Sequence, residues 1–154
     1  MAHRHLLVDR VLVSAWKTPE AEDVRTIVEQ VAMARERLGR QVLYLSVIGP
    51  TSIPRGEIRD DMVQYYQSML THCESMHVVI EGTEFQQSIK RSVIANVLLV
   101  VPSRGRVFIE NTVQGVIAAS PAAVRVELTK AAQVAGEQKL FDFARGIESS
   151  SPGK

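Results

Sequence analysis

The sequence predicts an α/β domain, a mostly parallel sheet of four to five strands with helices packed on it. Short apolar runs alternate with amphipathic segments along most of the chain, the order that produces parallel pairing and right-handed crossovers. Runs such as QVLYLSVI are almost continuously apolar, as parallel strands covered by helices are. The 154 residues, 45% of them hydrophobic and 23% charged, suit one domain with one core.

Leu6–Lys17 (LLVDRVLVSAWK) reads as strand, with Asp9-Arg10 able to split it into a small hairpin. A helix follows: Thr18 can cap it, Pro19 suits its first position, and Glu20, Glu22 and Asp23 favour the positive end of its dipole. Val24, Ile27, Val28, Val31 and Leu38 recur at helical spacing, and Gly39 stands where a helix stops. Gln41–Ile48 is the second strand. The prolines and glycines of Gly49–Gly56 make a loop. Ile58, Met62, Tyr65, Tyr66, Met69 and Cys73 then mark a second helix, with Glu57, Asp60 and Asp61 in its first turn.

Met76–Glu81 is the third strand. Thr83 and Gln86 form a capping box for a third helix that buries Phe85, Ile89, Val93 and Val97 and turns Gln86, Gln87, Lys90 and Arg91 outward. Arg106–Glu110 is a short further strand, and Asn111 or Thr112 caps a helix to about Ala119. Ser120-Pro121 restarts or kinks it, and helix continues toward Ile147. Val124, Leu128, Ala131, Ala132 and Leu140 form a stripe there that must be covered, by the chain's own sheet or by another molecule. Self-association as a homodimer is the first intermolecular option.

A net charge of +1 gives no global field to recruit nucleic acid or anionic membrane. Cys73 is the only cysteine, so no internal disulfide forms and a cytoplasmic location is expected. The start, MAHRHLLVDR, has no long apolar segment, so no secretory signal is expected, and no stretch is long enough for a transmembrane helix. Signatures of dinucleotide, phosphate-loop and serine-hydrolase sites are missing, and no cofactor is expected. His72, Cys73 and His77 lie close in sequence, but two end a helix and the third enters a strand, and their spacing fits no common zinc pattern; no metal is expected there.

Two stretches, VVIEGTEFQQSIKRSVIANVLLV and RVFIENTVQGVIAA, resemble the STAS-like domain of bacterial anti-sigma-factor antagonists, and more closely its STAS/SEC14-like branch. Glu81-Gly82, Phe85, an Arg91-Ser92-Val93 turn, Val107-Phe108 and Ala118-Ala119 carry the pattern over about residues 8–120. The resemblance implies a STAS-like domain over 1–120; beyond it, good helix formers predict a helical extension over 121–146, and the polar end a disordered tail over 147–154. The resemblance also implies a non-enzymatic regulatory or protein-interaction module with a protein partner. Studied members carry a phosphorylated hydroxyl in an Asp-Ser-Ser/Thr-Gly-like turn. GPTSIPRGE offers Thr51 and Ser52 there without the acidic residue or the adjacent glycine.

Thr51 and Ser52 are therefore candidate switch residues, or hydroxyls satisfying a turn. Pro50, Ile53, Arg55, Lys90 and Arg91 form the candidate partner surface. Lys90, Arg91, Arg104 and Arg106 read either as a small basic patch or as a solvated face. The alternative function is a small-molecule or lipid carrier, which needs a concave apolar cavity of roughly 300 Å³ or more.

Overall fold

The computed structural model describes residues 3–17, 20–50 and 59–147, with side chains in the second helix described from Asp61 onward. The elements are β1 (His3–Val8), β2 (Val11–Trp16), α1 (Ala21–Leu38), β3 (Val42–Ile48), α2 (Arg59–His72), β4 (Cys73–Ile80), α3 (Glu84–Leu98), β5 (Val107–Glu110), α4 (Val113–Ala119), α5 (Ala122–Glu137) and α6 (Leu140–Ala144). The five strands lie side by side in chain order. The β1–β2 pair is antiparallel and every other pair is parallel. Asp9, in the left-handed region at φ 52°, turns the hairpin.

Sequential order decides where the helices go. Each parallel step moves the same way across the sheet, so right-handed crossovers put α1, α2 and α3 on one face. Leu12, Trp16, Tyr44, Val78 and Ile80 point into that layer and meet Ile27, Val31, Met69, Ile94 and Val97. Alternate residues point the other way. Val11, Val13, Leu43, Leu45, Val47 and Val79 meet Val116, Val124, Leu128, Ala131, Ala135 and Leu140. The C-terminal helices thus form the third layer of an α/β/α arrangement. The stripe on α5, open to either cover from sequence, is taken by the chain's own sheet.

Charged clasps hold that third layer to the hairpin turn. The buried Arg10 guanidinium donates two bonds to the Glu127 carboxylate, at 2.7 and 2.9 Å, and one to Glu74 at 2.9 Å. Lys130 reaches Asp9 at 2.9 Å, but both side chains are exposed and the pair adds little.

Several local expectations are corrected. The first helix starts at Ala21, where the Glu20 N–H donates to the Asp23 carboxylate at 2.9 Å; Thr18 and Pro19 lie outside the described residues. Leu38 is exposed in the last turn, just before Gly39 closes the helix at φ 68°. Cys73 is the first residue of β4, not the last of α2. The Arg106 guanidinium holds that junction, donating to the carbonyl of Leu70, which the ending helix leaves bare, and to those of Cys73 and Glu74 at the start of β4. Arg91-Ser92-Val93 lies inside α3 and makes no turn. The helix expected to run on past Glu137 breaks at Lys139, whose φ is 61°, before α6 begins.

The largest correction is the roll of α3. Its Thr83/Gln86 capping box is present, but Phe85 is 73% exposed and Ile89 41%, whereas Lys90 is 3% exposed. Phe85, Ile89, Val93 and Val97 are spaced by fours, and each such step drifts about 40° around a helix. Lys90, Ile94, Val97 and Val101 are spaced by four, three and four, so they stay on one line. That line is the one the fold buries.

Candidate functional site at the carboxyl edge of the sheet

In open α/β sheets ligands and partners meet the carboxyl ends of the strands. Here β2, β3 and β4 end at Trp16, Ile48 and Ile80, and β3 leads straight into Gly49-Pro50. Four elements fix that exit. The Gly49 N–H donates to the Trp16 carbonyl at 2.9 Å. Lys90 of α3 donates through Nζ to the carbonyls of Gly49, at 2.8 Å, and Pro50, at 3.3 Å. The Glu81 N–H reaches the Ile48 carbonyl at 3.0 Å. On the remaining side, a Cβ on Gly49 would stand 1.8 Å from the Ala144 carbonyl oxygen. Burial holds the Lys90 amine below its usual pKa, against the pull of the Glu81 carboxylate. Glu81 itself is clamped by Arg145, with Nη2 at 2.7 Å.

Beneath the edge lies a closed polar network. The Trp16 indole N–H reaches Ser14 Oγ at 2.9 Å and Ser46 Oγ at 3.0 Å, side chains on neighbouring strands in register. Ser14 Oγ and Tyr44 Oη are 2.5 Å apart, and Tyr65 Oη donates to Tyr44 Oη at 3.1 Å. Burial raises the pKa values of Tyr44, Tyr65 and Tyr66. These hydroxyls stay protonated, and those of Tyr44 and Tyr65 are bonded to each other. The arrangement cross-ties β2, β3 and α2 and stiffens the platform under the Gly49 exit.

At the outer margin His3 Nδ1 contacts Asp23 Oδ1 at 2.7 Å, and the His3 ring lies 5.3 Å from the Trp16 ring, centre to centre.

The residues singled out from sequence divide. Thr51, Ser52, Ile53 and Arg55 lie outside the described residues. Pro50 is half-buried on the fixed exit. Lys90, expected on the partner surface, is buried as a strut, because two carbonyls leaving β3 need a donor and its long stem crosses the apolar face of α3. Arg91 remains near the surface and donates to Asn111 Oδ1 at 2.8 Å. Arg106 is committed to carbonyls at the α2–β4 junction and Lys90 to those of Gly49 and Pro50, so neither is free to serve a basic patch. Sequence reasoning placed Gly49 only in a loop and expected Phe85 and Ile89, which face outward, to be buried. The signal for Gly49 was its position directly after a buried strand.

His72, Cys73 and His77 are not brought together. Cys73 is buried, its thiol pushed up to about 12 by desolvation. His77 lies on the other face of the sheet, stacked on Phe108. Ser120 Oγ donates to the Val116 carbonyl at 2.6 Å, so the His77 Nδ1–H donates to Ser120 Oγ at 2.7 Å, and Nε2 accepts from Ser75 Oγ at 2.7 Å. His77 is neutral in this bridge between β4 and the α4–α5 junction, and burial lowers its pKa to about 4. An unfolded histidine titrates near 6.5, so below that pH the unfolded chain binds the proton first. The stabilisation is complete above pH ~6.5 and is lost as pH falls toward ~4, by on the order of 3 kcal/mol. Thermal melts across this window should show a steep fall for the native protein and a shallower one for His77→Gln. Equal slopes would mean that His77 does not control the acid limb.

A shallow depression of about 510 Å³ lies at the opposite end of the sheet, lined by Arg35, Glu36, Arg40 and His72 among others. No helix among the described residues is long and apolar enough to cross a membrane. No family model, curated protein or solved structure matches the chain.

Proposed function

We propose that the chain is a non-enzymatic regulatory module of STAS-like type, acting in a bacterial cytoplasm by binding a protein partner at the carboxyl edge of its sheet. The observation that carries this reading is the fixed Gly49-Pro50 exit beside an outward apolar pair, Phe85 and Ile89, one helical turn apart at the start of α3. Exposed aromatic and aliphatic side chains on a rigid support suit protein recognition, since little freedom is lost on binding. The closed hydroxyl network fits a scaffold more readily than a reaction centre.

The test is affinity capture from extract of the source cell, native protein against a Phe85→Ser/Ile89→Ser double variant. A partner retained by the native protein and lost by the variant, at an unchanged melting midpoint, supports the reading. Absence of any specific partner under gentle conditions removes its basis.

A further inference from the structure

We propose that the outer edge of β5 pairs with the same edge of a second copy of this chain, joining two sheets into one across a two-fold axis at Phe108. β5 ends the sheet and has β4 on its inner side alone. The Met76 N–H donates to the Arg106 carbonyl at 2.8 Å, and Met76 and His77 stand opposite Val107 and Phe108. A parallel ladder in that register takes up the backbone groups of Arg106, Phe108 and Glu110. The N–H and C=O groups of Val107 and Ile109 therefore point away from β4, and no hydrogen bond among the described residues reaches them.

These outward groups complement themselves. An antiparallel copy centred on Phe108 sets each Val107 opposite the Ile109 of its neighbour, in pairs that exchange both bonds. Every outward group of β5 is then satisfied. Centring on Val107 or Ile109 loses the match, because the next residue in line is Gly105, at φ 72°, or Asn111, beyond the end of the strand.

The side chains favour the same register. Arg106, Phe108 and Glu110 share one face. Arg106 then stands opposite Glu110 of the second copy, at both ends of the pairing. Arg106 is a cation fixed in place through Nε and Nη2, with Nη1 outside those bonds. Glu110 has no ion pair among the described residues. Phe108 stacks on His77, its neighbour in register, with ring centres 5.2 Å apart, and Phe108 of the second copy continues that row. The other edge, β1, reads HRHLLV and carries Arg4 with no acidic residue, so a copy of it offers no opposite charge.

Sedimentation equilibrium of the purified protein over a range of concentrations tests the pairing. Reversible dimerisation is expected. Glu110→Lys sets like charges opposite each other at both ends and should weaken the dimer about 10-fold or more, with the circular dichroism unchanged. Phe108→Cys checks the register: Cα atoms of such directly opposed, non-hydrogen-bonded partners are about 4.5 Å apart, within disulfide reach, so mild oxidation should link two chains there. The native Cys73 is buried and stays out of the reaction. A native protein that is monomeric at every concentration overturns the proposal. So does a dimer that Glu110→Lys leaves at native strength, since its contact then lies on another face.

Discussion

Removal of residues 121–154 should yield a protein that does not fold. α5 packs on β1 and β2, and α6 on β1, β2 and β3. Without them Val11, Val13, Leu43, Leu45 and Val47 lose their cover. Each such side chain gains about 1.5–3 kcal/mol from burial, so the loss is on the order of 10 kcal/mol. A domain of this size has only about 5–15 kcal/mol in total. The removed segment also takes Glu127, leaving the buried Arg10 with Glu74 as its one remaining carboxylate partner. Loss of near-ultraviolet circular dichroism and of a cooperative melt is the expected readout. A soluble truncated protein with a sharp transition would mean that the second face of the sheet does not need this layer.

The Gly49→Ala substitution should be the most damaging single change at the carboxyl edge. An added methyl would stand 1.8 Å from the Ala144 oxygen and 2.9 Å from that of Trp16. Both are backbone atoms, so neither can swing away. Relief requires moving α6 or the β3 exit, and the exit is held by the Lys90 bonds. A cost of at least about 4 kcal/mol follows, in the exceptional range for one residue. Chemical denaturation measures it. A Gly49→Ala protein within about 1 kcal/mol of the native one would show that α6 can shift freely. Gly39→Ala is the informative companion: its site has open space, and only the left-handed φ of 68° resists the change, so its cost should be about 1 kcal/mol.

The strand and helix order was legible because apolar period and capping chemistry are local properties. Thr83 with Gln86, Thr112 before α4 and Gly39 after α1 all cap where their types suggest. The roll of α3 was harder to read because Lys90 counts as polar in any local pattern, and its buried role depends on carbonyls 40 residues or more away. The place of α5 was open for a different reason. Continuous apolar strands announce two covered faces, and sequential order puts all three crossover helices on one. Together these leave a face that only the C-terminal residues can cover, but the inference needs the strand order, which no single segment encodes. The closeness of Trp16, Lys90 and Ala144 to Gly49 arises only when four elements converge.

The clasp between Arg10 and Glu127 joins residues 117 positions apart. Strand pairing, by contrast, advances between neighbours in the chain and can proceed as each segment leaves the ribosome. At roughly 5–20 residues per second, the hairpin and β3 wait several seconds for α5 and α6, with one apolar face bare. The nascent chain is therefore exposed to aggregation late in synthesis.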